Sequence, residues 1–104
     1  MRFYIAGPIT GHDMVNVIEN FKTGSQLAYE LNATEIVNPL ELPHVHDKTW
    51  RSYMNECIAE LVKCDAILML DGWVNSKGAV IEHKIASLFD LKIYEFDNHI
   101  NLLI

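Results

Sequence analysis

The sequence predicts an α/β protein, a three-layer sandwich with a parallel sheet of four to five strands. Three observations carry this. Short apolar runs alternate with amphipathic helical stretches in the order βαβαβαβ along 104 residues, the pattern of strands joined by helical crossovers. One run, Ala66 to Leu70 (AILML), is apolar at every position, as a central parallel strand covered on both faces should be. Half of the residues are hydrophobic and 21% are charged, enough apolar material for one core.

Arg2 to Ala6 (RFYIA) is a short apolar run ended by Gly7-Pro8, and it reads as the first strand. From Asp13 to Leu31, the residues Met14, Val17, Ile18, Phe21, Ala28 and Leu31 recur at helical spacing, with Asp13 as the N-cap. Thr34 to Val37 is a second strand, stopped by Asn38-Pro39. Leu40 to Lys48, flanked and interrupted by Pro39 and Pro43 and carrying His44 and His46, reads as a loop. A second helix fits Thr49 to Val62, with Tyr53 or Met54, Cys57, Ile58 and Leu61 inward. After the AILML strand, Asp71 to Ser76 is a loop and Lys77 to Leu88 a third helix. Lys92 to Phe96 is a fourth strand, and Asn98 to Ile104 forms an edge strand or an oligomer contact. No repeat or linker interrupts the pattern, so residues 1–104 are expected to form a single domain.

Composition excludes several classes of function. Eight Lys and Arg against 14 Asp and Glu give a formal charge of −6, with no basic stripe for duplex nucleic acid. No apolar run approaches the roughly 18 residues of a membrane span, so no membrane partner is expected. The first residues are too short an apolar run for a signal peptide. Cys57 and Cys64 make no disulfide scaffold. The expectation is a soluble, reduced, cytoplasmic protein. So small a domain has little room for a closed active site, and a neighbouring subunit is expected to complete its pocket.

In open parallel sheets, ligands bind beyond the carboxyl ends of the strands. That directs attention to three loops: 7–12, 38–48 and 71–78. Gly7 and Gly11 in GPITG allow backbone to approach a ligand, or simply make a strand-to-helix turn. Tyr4 points into a pocket or fills the core. Ser76 is placed to cap the third helix, whose first amides suit a phosphate beside Gly78. Glu82 follows Gly78 by four residues and Ala79 by three, so all three share one helical face. It is a pocket carboxylate or a solvated surface glutamate. Asp71, at the end of the central strand, is a candidate acid; Trp73 is a pocket wall or a loop anchor. His44, His46 and Asp47 lack a further ligand at metal-site spacing, so no metal or other cofactor is expected.

YIAGP at Tyr4 to Pro8, Asn38-Pro39, CDAILML at Cys64 to Leu70 and GWVNSKGAVIEHKIA at Gly72 to Ala86 occur together in this order. That combination resembles the nucleoside 2-deoxyribosyltransferase-like superfamily, and more closely a small phage- and prophage-associated branch of it. The resemblance covers nearly the whole chain and implies a Rossmann-like, flavodoxin-like fold. It implies cleavage of the N-glycosidic bond of a nucleoside or nucleoside 5′-monophosphate, with Glu82 as nucleophile and Tyr4 orienting it. Gly7, Pro8, Asn38, Trp73, Ser76 and Gly78 would surround the substrate. Homo-oligomers, dimers or larger, are implied as well, and the apolar tail Ile100 to Ile104 fits such a contact.

One position departs from the superfamily pattern. Where an aspartate is common, this chain has Cys57, with Glu56 beside it. A thiol does not replace an acid that protonates a leaving base. Asp71 or Glu56 would then supply the proton, although a helix turns Glu56 about 100° away from Cys57. The alternatives are deoxyribosyl transfer between bases and a non-catalytic module that binds or sequesters a nucleotide.

Overall fold

The computed structural model describes residues 1–44, 49–96 and 102–103. Its sheet contains four parallel strands, β1 (Arg2–Ala6), β2 (Glu35–Val37), β3 (Ala66–Met69) and β4 (Lys92–Phe96). A two-residue β5 (Leu102–Leu103) adds to β4, and the order is β2-β1-β3-β4-β5. This is the Rossmann-like, flavodoxin-like arrangement the sequence implies. The fifth strand runs antiparallel, so the parallel part stops at four. The chain between Phe96 and Leu102 is too short for a crossover, which takes about a dozen residues or more.

Helices α1 (Met14–Glu30), α2 (Trp50–Leu61) and α3 (Lys77–Leu88) connect the strands. Each starts at a side-chain cap. Asp13 accepts from the Val15 N–H, Thr49 from Ser52, and Ser76 from Ala79. Residues 39–41, expected as loop, form one 3₁₀ turn capped by the Asn38 side chain. His46 and Asp47, and Ile100, Asn101 and Ile104 of the apolar tail, lie outside the described residues.

Period-two alternation divides the core into two layers. Phe3, Ile5, Ala66, Leu68 and Tyr94 pack with Val17, Phe21 and Ala28 of α1. Tyr4, Ala6, Ile67 and Met69 pack with Cys57 and Leu61 of α2 and Ala79 and Ala86 of α3. β3 is buried at all four positions, as a strand with helices above and below requires.

The two ends of the sheet carry different chemistry. At the amino ends, Arg2 pairs with Glu35 at 2.6 Å and Glu60 at 3.2 Å, and the Arg2 N–H donates to Asp65 at 2.8 Å. Asp65 is thus a structural anchor. At the carboxyl ends, the chain leaves β1 for α1 on one face and β3 for α3 on the other. Strand order reverses between β1 and β3, which is the switch point where such sheets hold ligands.

Candidate functional site

Tyr4 and Glu82 meet at this switch point. Tyr4 occupies the middle of β1, on the face covered by α2 and α3. The Ser76 cap sets the rotation of α3 so that Ala79, Glu82 and Ala86 form its buried stripe. The spacing of three and four puts Glu82 between two alanines, against the sheet. Glu82 is 5% exposed and Tyr4 is fully buried. The Tyr4 hydroxyl donates a hydrogen bond to Glu82 Oε2.

Burial dominates the electrostatics. It pushes the Glu82 carboxyl up to about 7, and the Tyr4 hydrogen bond opposes that rise. Burial, then the nearby Glu82 charge, pushes the Tyr4 phenol far above its usual range, so Tyr4 remains a donor at neutral pH. The buried Cys57 thiol beside them is raised to about 11, chiefly by desolvation. It is therefore a neutral thiol, not a thiolate.

Above the pair is a narrow cleft of about 30 Å³. Gly7 from the loop after β1 and Ser76, Gly78 and Ala79 from the start of α3 form part of its wall. Trp50, Tyr53 and Met54 from α2 form another part. The cleft has room for a water-sized occupant. It adjoins a wider cleft of about 370 Å³ lined by Thr10, His12, Trp50, Asn75, Ser76 and Lys77 as well as Gly78. Four residues, Thr10, Trp50, Ser76 and Gly78, are common to both. Small side chains keep this passage open. A Cβ on Gly78 would come within 3.2 Å of the Met54 sulfur, whereas one on Gly7 would press on Leu70 Cβ at 2.8 Å in the α1-side core, so Gly7 is set by packing. The Lys77 ammonium sits 4.6 Å from the centroid of the Trp50 ring, a cation–π contact across the rim of the wider cleft.

The structure therefore brings together Tyr4, Glu82, Gly7, Ser76 and Gly78 from the expected set. It does not bring Pro8, Asn38, Asp71 or Trp73 to this cleft. Pro8 and the exposed Asp71 line a polar groove with Asp13 and Asn16 of the α1 side, which shares His12 and Asn75 with the wider cleft. Asn38 uses its side chain to cap the 3₁₀ turn and lines an apolar hollow with Ile18 and Leu40. Trp73 stacks on His83, with centroids 4.4 Å apart, and so acts as a loop anchor. Glu56, the neighbour of Cys57, turns to His44, pairing with its Nδ1. Among the described residues, no group of three His, Cys, Asp or Glu side chains is arranged to hold a metal ion.

Trp50, Tyr53 and Met54 also line the cleft, although sequence spacing places Tyr53 or Met54 in the core and gives Trp50 no role. Their signal was there in part. Tyr53 and Met54 precede Cys57 by four and three residues, so they share its helical face. What the sequence could not show is that α3 packs on α2 through Gly78 and Met54 and that a cleft remains beside them.

A family model described as a domain of unknown function (DUF4406) matches residues 1–95. Among solved structures, the chain is similar to a 2-deoxyribosyltransferase from the psychrotolerant bacterium Bacillus psychrosaccharolyticus, described as a biocatalyst for the synthesis of nucleosides. The TM-score is 0.70 at 14% sequence identity, over 93% of this chain and 72% of that one. At that identity the likeness is one of fold. No curated protein matches the chain in sequence.

Proposed function

We propose, for a chain that belongs to the family described as a domain of unknown function (DUF4406), cleavage of the N-glycosidic bond of a nucleoside or nucleoside 5′-monophosphate. One observation carries the reading. A buried carboxyl group, Glu82, is held by the Tyr4 hydroxyl at the base of a cleft at the switch point of the sheet. A desolvated carboxylate stabilises a sugar oxocarbenium ion and can trap it as an ester.

In this reading the Glu82 carboxylate attacks C1′ as the base departs with the bonding electrons and takes up a proton from solvent water. Tyr4 holds the carboxylate in line and, as a neutral donor, does not compete for the sugar. Water then cleaves the ester, giving the free sugar and restoring Glu82. The first amides of α3, the Ser76 hydroxyl and Lys77 are available to a 5′-phosphate in the wider cleft. The fold likeness to a 2-deoxyribosyltransferase supports this reaction class. A second copy of the chain is expected to wall the wider cleft, and a monomer by light scattering would remove that part.

The test is incubation with each 2′-deoxynucleoside 5′-monophosphate and each nucleoside, with free base measured by chromatography. No base released from any of them sinks the proposal. Deoxyribosyl transfer is the second reading, favoured by the named activity of the structural relative. Exchange of a labelled free base into nucleoside, faster than hydrolysis, would select it.

A further inference from the structure

Tyr53 stands one turn before Cys57 on α2 and lines the same narrow cleft as Glu82. Its hydroxyl oxygen is sealed from solvent, yet among the described residues it has no hydrogen-bond partner. The Cys57 thiol is close enough to influence it, but a thiol is a weak hydrogen-bonding partner. A buried hydroxyl left without a partner is destabilising, and native proteins keep few of them.

The ring is held where it is. His44 stacks on Tyr53 with centroids 4.4 Å apart. His44 is itself fixed, with Nδ1 on the Glu56 carboxylate and Nε2 2.8 Å from the Pro39 carbonyl. Its backbone N–H donates to the same carboxylate at 3.2 Å. Tyr53 is thus a pre-positioned side chain with unused hydrogen-bonding capacity. Met54, an unbranched and adaptable side chain beside Gly78, lines the same cleft.

We propose that the Tyr53 hydroxyl recognises the heteroaromatic base of the ligand, through a hydrogen bond to a ring nitrogen or carbonyl oxygen at the edge of that base. Tyr53 is then a specificity-determining residue, and this rests on reading the Glu82 cleft as a glycosidic-bond site. Burial raises the phenol well above its ordinary range, so it donates a hydrogen bond and keeps its proton. A site built to pair with a polar edge rejects a base that lacks it, because its own polar group is then left unpaired.

Tyr53→Phe removes the oxygen and little else. Binding is measured by calorimetry with the four 2′-fluoro-2′-deoxynucleoside 5′-monophosphates, whose fluorine slows loss of the base. Thermal unfolding of the unliganded protein is measured alongside. The expected result has two opposite signs. The variant melts at or above wild type, and it binds the preferred nucleotide at least about 5-fold more weakly. A lower melting temperature assigns the hydroxyl to the fold and overturns the proposal. Affinity within about 5-fold of wild type overturns it too. Wild type that binds none of the four overturns both this proposal and the glycosidic reading. Wild type that binds, with an equal variant, overturns the Tyr53 assignment alone.

Discussion

The Tyr4 hydroxyl on β1 donates its hydrogen bond to the Glu82 carboxyl group on α3, across 78 positions of sequence, with both side chains buried. Sheet and helix are thereby joined through the one buried charged residue of the described core. The same bond aims the carboxyl group at the cleft.

Glu82→Gln keeps the size of the side chain and an acceptor for Tyr4 but removes the nucleophile. Base release should fall by about 10³-fold or more. Circular dichroism and gel filtration should match wild type. Retention of a tenth or more of the rate would show that Glu82 does not attack the sugar.

The pH dependence follows from the Glu82 carboxyl lying near 7 in the fold against an ordinary 4.5. Between these values the folded protein binds more protons than the unfolded chain, so stability is highest at the acid end and falls as pH rises through the window. Each pKa unit corresponds to about 1.4 kcal/mol. Denaturant titrations from pH 5 to 7 should show this decline in wild type and lose most of it in Glu82→Gln. Attack requires the carboxylate, so kcat/KM should rise over the same interval, with an ascending limb near pH 7.

Tyr4→Phe removes the hydrogen bond that opposes the upward shift of Glu82. The ascending limb should therefore move to higher pH. Folding stability should fall by about 1–3 kcal/mol, since a buried acceptor loses its donor. An unchanged pH profile would mean that Tyr4 serves packing alone.

Gly78→Ala separates folding from function. A helix gains up to about 1 kcal/mol when Ala replaces Gly, while the new methyl group would press on the Met54 sulfur at 3.2 Å. Stability should stay level or rise, and KM should rise roughly 10-fold as the passage narrows. Equal KM values would show that ligands do not pass this point.

Gly7→Ala should behave differently, because its Cβ would lie 2.8 Å from Leu70 Cβ, an atom fixed to the backbone. A loss of about 1–3 kcal/mol is expected from overpacking, read as a lower midpoint in urea. A neutral result would mean that the loop after β1 shifts freely.

Much of the architecture was legible because it depends on local periodicity. Apolar runs and helical stripes place the first four strands and three helices, and Asp13, Thr49 and Ser76 mark the helix starts through short-range hydrogen bonds. The direction of β5 was not legible, since two residues carry no periodic signal. The direction in which loop side chains turn was not legible either. Asp71 and Pro8 follow strand ends, as cleft residues do, but their loops turn them to the α1 side of the sheet. Asn38 is occupied by its own turn.

The sequence by itself determined the alternation of strands and helices, the carboxyl end of the sheet as the place for a site, and Glu82 on the same helical face as Gly78. These are consequences of spacing along one chain. Only the tertiary structure decided that Glu82 is buried on Tyr4, that Glu56 turns away to His44, and that the Tyr53 hydroxyl is left without a partner beside the cleft. Those outcomes depend on how α2 and α3 pack over β1, and packing between elements distant in sequence leaves no periodicity to read.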